Sequence, residues 1–267
     1  MRFLKLINKF FYLNFPKQYG KYQYFKNLTL LPLKIMLVKL NIDSSFSSKD
    51  QDYWVINEIF KKKKNGYFVD LAATSGILES NTYLLEKRYG WKGICIEPNP
   101  KFFKKLIKNR NCFKANNVVT SSDNQMIEFV YNGFVGGIIG ENFDNKPSKR
   151  AKIINSLRKN NCVEKLSSLS LETILEKYSA PKVIDYLSLD VEGSEFDVLK
   201  DFPFEKYKFL SITIERPPEK LNKLLFENDY IFVKNHKVDT FYVHKDIRDK
   251  LDASIFLEFE QLGPKKW

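Results

Sequence analysis

The chain has 267 residues, 43% of them hydrophobic and 28% charged, with 44 Lys and Arg against 32 Asp and Glu for a net charge of +12. That length suits one large α/β domain with an extension, while three scattered cysteines (Cys95, Cys112, Cys162) give neither a disulfide framework nor a C-x-x-C zinc site. Two histidines, His236 and His244, are too few for a His-rich metal centre, and no G-x-S-x-G elbow is present for a serine hydrolase.

The charge sits at one end. Residues 1–42 hold Arg2, Lys5, Lys9, Lys17, Lys21, Lys26, Lys34 and Lys39 and no acid, which is eight of the twelve net charges. The remainder is only mildly basic, and this opposes an extensive nucleic-acid footprint across it. Arg2, Lys5 and Lys9 share one helical face, with Phe3, Leu4, Ile7, Phe10 and Phe11 on another, so a basic amphipathic helix is expected. Leu28 to Leu40 is apolar at nine of thirteen positions but contains Pro32, Lys34 and Lys39. It falls short of the roughly 20 residues that span a bilayer. Asn8 and Lys9 interrupt the first apolar run and no small-residue cleavage site follows, so no signal peptide is expected and the location is read as cytoplasmic. Residues 1–47 are therefore read as a basic helical extension, docked on the domain or lying on an anionic membrane face. The main domain is assigned to 48–267.

Asp50 to Lys64 reads as a helix whose lysine run forms a cationic last turn before Gly66. A strand, 66–71, stops in Ala72-Ala-Thr-Ser-Gly76, small residues suited to a sharp turn close to a ligand. A helix follows over 80–89, with Gly90 as its stop, and a second strand, 91–97, breaks at Pro98-Asn-Pro100. Next come a helix over 101–109, a strand over 112–119 and an alternating strand over 126–131 that points to an extra strand pair. The Gly- and Asn-rich segment 132–147 and the basic helical stretch 149–159 look like an insertion over a crevice. Ser170 caps a helix through Tyr178. Val183 to Asp190 is a strand, Val191-Glu192-Gly193 a turn, and Ser194-x-x-Asp197 a capping box. Phe209 to Glu215 is a further strand, 221–228 a helix, and 231–234 with 240–244 a hairpin.

The order is mainly βαβ, and four strands end in acids: Asp70, Glu97, Asp190 and Glu215. In a doubly wound parallel sheet these ends face one crevice. Glu97 is placed to accept hydrogen bonds from a ribose diol, yet the first turn lacks G-x-G-x-x-G, and Asp70 and Glu79 would repel a pyrophosphate. A cationic nucleoside cofactor fits better. S-adenosyl-L-methionine offers adenosine to Glu97 and a sulfonium and an ammonium to the other carboxylates, which favours a methyltransferase over a dehydrogenase.

The blocks Phe68-Val-Asp-Leu-Ala-Ala, Ser80-Asn-Thr, Gly90-Trp-Lys-Gly-Ile-Cys-Ile-Glu-Pro-Asn-Pro100, Ile184-Asp-Tyr-Leu-Ser-Leu-Asp-Val-Glu-Gly-Ser-Glu195, Thr213-Ile-Glu-Arg-Pro217 and Phe241-Tyr-Val-His-Lys245 resemble the FkbM family of S-adenosylmethionine-dependent methyltransferases. The resemblance implies a Rossmann-like class I methyltransferase fold: a mostly parallel doubly wound sheet with a terminal antiparallel strand pair. It implies cofactor contacts from Asp70, Ala72, Gly76, Asn81, Glu97, Pro98 and Asp190, with methionine near Asp70 and its turn and the ribose on Glu97. The family's first turn commonly reads like D-I-G-A-x-D-G, whereas Ala72 here replaces the first glycine and Ser75 the acid. A positive φ at Ala72 would lower cofactor affinity.

Methyl transfer to a hydroxyl needs alignment and a general base, for which Asp190, Glu192 and His244 are the candidates, Asp190 first. No resident metal is assigned; Asp190 and Glu192, two apart on an extended chain, are the residues that would share one. The resemblance carries O-methylation of a glycan or small-molecule acceptor. Competing readings are a nucleic-acid methyltransferase, which lacks a [DNS]-P-P-[FYW] motif or a Pro-Cys nucleophile here, and an inactive cofactor-binding or membrane-docked scaffold. A metal-dependent glycosyltransferase lacks a phosphate cradle.

Overall fold

The computed structural model describes residues 16–263, with side chains from residue 25 onward. Its elements in chain order are α1 (Pro16–Lys39), α2 (Gln51–Tyr53), β1 (Tyr67–Leu71), α3 (Tyr83–Tyr89), β2 (Lys92–Ile96), α4 (Pro100–Asn109), β3 (Phe113–Ala115), β4 (Val118–Thr120), β5 (Met126–Val130), β6 (Gly137–Ile138), α5 (Pro147–Lys159), β7 (Val163–Ser170), α6 (Leu171–Lys177), β8 (Val183–Leu189), α7 (Glu195–Leu199), β9 (Lys208–Glu215), α8 (Glu219–Glu227), β10 (Tyr230–His236), β11 (Asp239–His244) and α9 (Lys245–Arg248).

Seven strands form the main sheet in the order β10-β11-β9-β8-β1-β2-β3. All neighbours from β9 to β3 run parallel, while β11 runs antiparallel to both β9 and β10. The hairpin expected from the sequence is therefore present, and its second strand, β11, is the one inserted against the parallel set. β1 is central because it is apolar on both faces: Phe68 points into one core layer, with Trp54, Leu84, Leu85 and Trp91, and Val69 and Leu71 into the other, with Ile174, Leu187, Val198 and Leu225. Helices cover both faces, which buries each layer and leaves the carboxyl ends of the strands as the open edge. The chain winds outward from β1 to β3 on one side and from β8 to β9 on the other, so the crevice falls between β1 and β8.

Four local readings are corrected. The helix over 50–64 is α2 continued by a π-helical segment, Trp54–Ile59, and the lysine run is a left-handed loop with positive φ at Lys61, Lys62 and Asn65. The strand over 112–119 is two strands of different sheets, divided at Asn116 and Asn117, where Asn116 Nδ2 donates to the carbonyls of Glu97 at 2.8 Å and Pro98 at 3.1 Å. The extra strand pair is part of a four-stranded sheet, β4-β7-β5-β6, completed by a strand, β7, in a stretch whose polar sequence gave no strand signal. The capping box at Ser194 does not form: its Oγ donates to the Val191 carbonyl at 3.0 Å.

Of residues 1–47 the described part holds the helix α1, which lies against α3 and packs Val38, Leu31 and Ile35 on the core, and a following segment that buries Phe46 there. The amphipathic helix expected at residues 1–11 lies outside the described residues. Among those described, no helix is long and apolar enough to cross a membrane.

Candidate active site

Beneath the turn after β1 lies a guanidinium. Arg110, 2% exposed, donates from Nε to Glu86 at 2.7 Å, from Nη1 to the Gly76 carbonyl at 3.2 Å and from Nη2 to Thr82 Oγ1 at 3.0 Å. A buried charge is retained only with such a full set of partners. Burial alone would raise the Glu86 carboxyl, but Arg110 overcomes it and brings Glu86 to about 2. Gly76 has φ +77°, and a Cβ there would come 2.6 Å from Leu106 and 2.7 Å from Arg110 Cγ. This glycine serves the packing on Arg110; it does not line the cavity, contrary to the cofactor contact expected of it. Sequence reasoning missed Arg110, since nothing in its helix end marks it as buried.

Above this post the turn opens into a cavity of about 250 Å³ at the carboxyl ends of β1, β2, β8 and β9. Asp70, Ala72, Asn81, Glu97, Pro98, Asp190 and Glu192 all line it. Asp70 accepts from Thr82 Oγ1 at 2.6 Å, and burial pushes its carboxyl up against the lowering effects of Thr82 and Arg110. Asn81 Nδ2 donates to Ser188 Oγ at 2.9 Å, tying the α3 entry to β8 beside Asp70. Glu97 accepts the backbone N–H groups of Thr74 at 2.8 Å and Asn99 at 2.7 Å, and burial still raises it to about 7. Phe102 and Phe134 close this end with ring centroids 5.4 Å apart; Phe134 comes from the segment after β5, which the sequence marked as an excursion over the crevice.

The other end is crowded with carboxylates. Asp190, Glu192 and Glu215 bring one oxygen each within 4.8 Å of one another, so the three could hold a divalent cation, Glu215 adding a ligand that the sequence reading did not include. Burial first, then the charge of Glu215, pushes the Asp190 carboxyl well above the ordinary range, against the lowering effect of Lys49. Two more groups meet here that the sequence did not reveal. Asp239 begins β11 directly opposite Glu215, and Lys49 Nζ reaches Asp239 at 2.7 Å and Glu215 at 3.4 Å. Gln51 Nε2 also donates to Asp239. Burial alone would push the Lys49 ammonium down, but Asp239, Asp190 and Glu215 hold it above the usual lysine value. The antiparallel direction of β11 was the available signal: it brings the start of that strand, Asp239, to the crevice.

The same direction removes His244. It ends β11 at the far side of the sheet, buried against Tyr230, with Nδ1 accepting from Asp246 N–H at 3.2 Å as the cap of α9, and burial lowers its pKa. It lines none of the cavity and is no candidate base. Glu195, at the start of α7, is 2% exposed and accepts the N–H groups of Val191 at 3.0 Å and Gly193 at 3.1 Å, so it shapes the turn that carries Glu192. Burial raises it to about 8. Ala72 (φ +60°), Thr74 (+49°), Glu192 (+56°) and Arg216 (+43°) all take the left-handed conformation around the cavity. Such backbone costs on the order of 1 kcal/mol or more per residue and gathers at functional sites.

A second cavity of about 540 Å³ adjoins the first and shares Glu215 with it. Its walls come from Phe143 and Asp144, from Glu195 to Asp197, and from Arg216 to Lys220, and Arg216 Nη1 lies 2.8 Å from Glu215.

Comparisons with known proteins bear on this arrangement. The chain's fold is similar to a methyltransferase FkbM from Methylobacillus flagellatus KT at 13% identity and a TM-score of 0.42, covering 83% of this chain and 60% of that one. It is similar to a precorrin-6y C5,15-methyltransferase from Geobacter metallireducens GS-15 at 9% identity and a TM-score of 0.37, covering 75% and 90%. A fibrillarin/Nop5p complex gives 14% identity and a TM-score of 0.32, covering 67% and 72%. No curated protein matches the sequence significantly. The family described as the methyltransferase FkbM domain matches residues 70–254, from the first cavity carboxylate to beyond the last strand. With its sheet order and its acid-lined cavity, the chain belongs to the FkbM methyltransferase domain family, a class I fold that uses S-adenosylmethionine.

Proposed function

We propose that this methyltransferase methylates a hydroxyl of a glycan or small-molecule acceptor, with Asp190 as general base. The observation that carries the reading is the position of Asp190, at the cofactor cavity's far end from Glu97 and beside Glu215, the residue common to the two cavities. The donor set fits the cofactor: Glu97, fixed by two backbone N–H bonds, keeps lone pairs for a ribose diol, and Phe102 and Phe134, packed on each other, give the adenine an apolar wall. Asp70, Asn81 and Ser188 are the polar groups for the amino-acid end. S-adenosylmethionine supplies an electrophilic methyl group.

The chain's own residues do the rest. Buried and then crowded by Glu215 and Glu192, this carboxylate is a stronger base than a free one, so an Asp190 oxygen takes the acceptor hydroxyl's proton as its new bond to carbon forms. Lys49 holds the neighbouring Asp239 and Glu215 in place and opposes the rise that burial imposes on the Asp239 carboxyl. The second cavity, larger and open beside Glu215, receives the acceptor; the acids and cations of its wall, Asp144, Asp197 and Glu219 with Lys146, Lys200 and Lys220, offer both acceptors and donors to sugar or alcohol hydroxyls. Incubation with methyl-labelled S-adenosylmethionine and a panel of glycan, small-molecule and nucleic-acid acceptors tests the reading. Label in hydroxyl-bearing acceptors supports it, label confined to nucleic acid replaces it, and binding without transfer to any acceptor favours the inactive scaffold.

A further inference from the structure

The outward face of α1 carries an observation that methyl transfer does not use. At about 100° per residue, Asn27, Leu31, Ile35 and Val38 occupy one side of the helix, and these are the residues turned toward the domain, Val38 and Asn27 being buried. Phe25, Leu28, Leu33 and Met36 fall in a different arc of about 140°. Their exposures, 62%, 45%, 48% and 50%, leave that arc facing solvent, and Leu40, 61% exposed, continues it past the helix end. A helix that only docks shows solvent its polar side. This one is apolar on both, with Lys39 and Thr29 within the outward arc and Lys26 at its edge, and an exposed apolar stripe of this kind marks an interaction surface.

Charge selects the occupant. No acidic residue precedes Asp43, and all eight charged residues before it are basic, five of them within α1. An apolar stripe whose charged residues are all cations suits the interface of a bilayer with anionic headgroups, where the apolar side chains enter the acyl boundary and the lysines meet phosphate. A helix of this composition meeting an identical helix would instead oppose like charges. The helix also lies beside the active site: Asn27 Nδ2 donates to Glu79 at 3.4 Å, and Glu79 lines the cofactor cavity.

We propose that the exposed face of α1 is a membrane-docking surface that holds the catalytic domain on an anionic bilayer, with the cofactor cavity's Glu79 rim next to the docked helix. The full chain is tested by flotation with vesicles of phosphatidylcholine alone and with added phosphatidylglycerol, at low and high salt. The triple variant Phe25→Ser, Leu33→Ser, Met36→Ser is run in parallel, and cofactor affinity checks that it is folded. Wild type floats with the anionic vesicles, less so at high salt; the variant's partitioning falls about tenfold while its affinity for S-adenosylmethionine stays within twofold. Three outcomes overturn the proposal: no flotation of wild type, equal flotation of wild type and variant, or a wild-type dimer in sedimentation that the variant abolishes, which would make the stripe a self-association face.

Discussion

The two ends of the cofactor cavity stabilise buried acid in different ways. Glu97 is held by directed hydrogen bonds from Thr74 and Asn99, one to each oxygen, whereas Asp190, Glu215 and Asp239 share the charge of Lys49, with Arg216 paired to Glu215 and Gln51 donating to Asp239. Hydrogen bonds fix a carboxylate in one place and change little with its neighbours. A shared cation couples several carboxylates, so each one's affinity for protons depends on the others. The first arrangement suits a group that must present the same lone pairs to a ribose in every turnover. The second suits a group whose proton comes and goes.

The largest expected effect breaks the second end alone. Asp190→Asn removes the base and lowers methyl transfer by about 10²- to 10⁴-fold, read by label transfer to the best acceptor; a loss under threefold would move the base elsewhere, Glu192 being next in line. Lys49→Met leaves Asp239 and Asp190 without their cation, Glu215 keeping Arg216, and costs about 3 kcal/mol of stability, read by urea unfolding. Protons can replace the missing charge, so this deficit shrinks as pH falls from 8 to 5. A deficit that grows on acidification would show that Lys49 does not neutralise the cluster.

The first end responds on a smaller scale and with its own pH signature. Glu97→Gln weakens S-adenosylmethionine binding about tenfold, or 1.4 kcal/mol. In wild type the affinity rises as pH climbs through about 7, where Glu97 ionises, and in the variant that rise is absent. Glu97 and Glu195 also set the stability of the cofactor-free protein. Both have folded-state values above the ordinary glutamate value, about 7 and about 8, so the stability they contribute is fully present below about pH 4.5 and is lost as pH rises to 8. Glu86, at about 2, acts in the opposite sense: its contribution is present above the ordinary value and lost as pH falls toward 2. Thermal melts of the single Gln variants separate the three. The smallest change is Ala72→Gly. With φ +60°, a glycine relieves backbone strain and gains about 0.5 to 1 kcal/mol of stability or of cofactor affinity; a loss would mean that the Ala72 methyl itself packs on the ligand.

How far this was legible in the sequence follows from where each signal lives. β1, β2, β8 and β9 are short apolar runs that each end near an acid, and burial on both faces requires such runs, so the main sheet and its crevice edge were readable. β7, Val-Glu-Lys-Leu-Ser-Ser-Leu-Ser, is half exposed and shows neither run nor clean alternation, and with it the second sheet went unseen. The strand-end rule found Asp70, Glu97, Asp190 and Glu215 because parallel strands put their carboxyl ends together. Applied to β11 it pointed to His244, which the reversed direction of that strand carries to the opposite edge, and it passed over Asp239, which the same reversal brings in. Lys49 and Arg110 are known only through tertiary contacts: one arrives from the segment before α2 and the other follows α4, and nothing in the sequence beside either marks it as buried. Ala72 was flagged as a departure, and its positive φ makes the turn strained where the family commonly has glycine.

Calorimetric titration of S-adenosylmethionine into wild type and Asp190→Asn, side by side at pH 8, tests most directly whether the cavity divides into a binding end and a proton-transfer end. The account predicts saturable one-site binding to both proteins, with dissociation constants within about threefold, or less than 1 kcal/mol. No heat with wild type at millimolar cofactor, or binding lost in the variant, would contradict it.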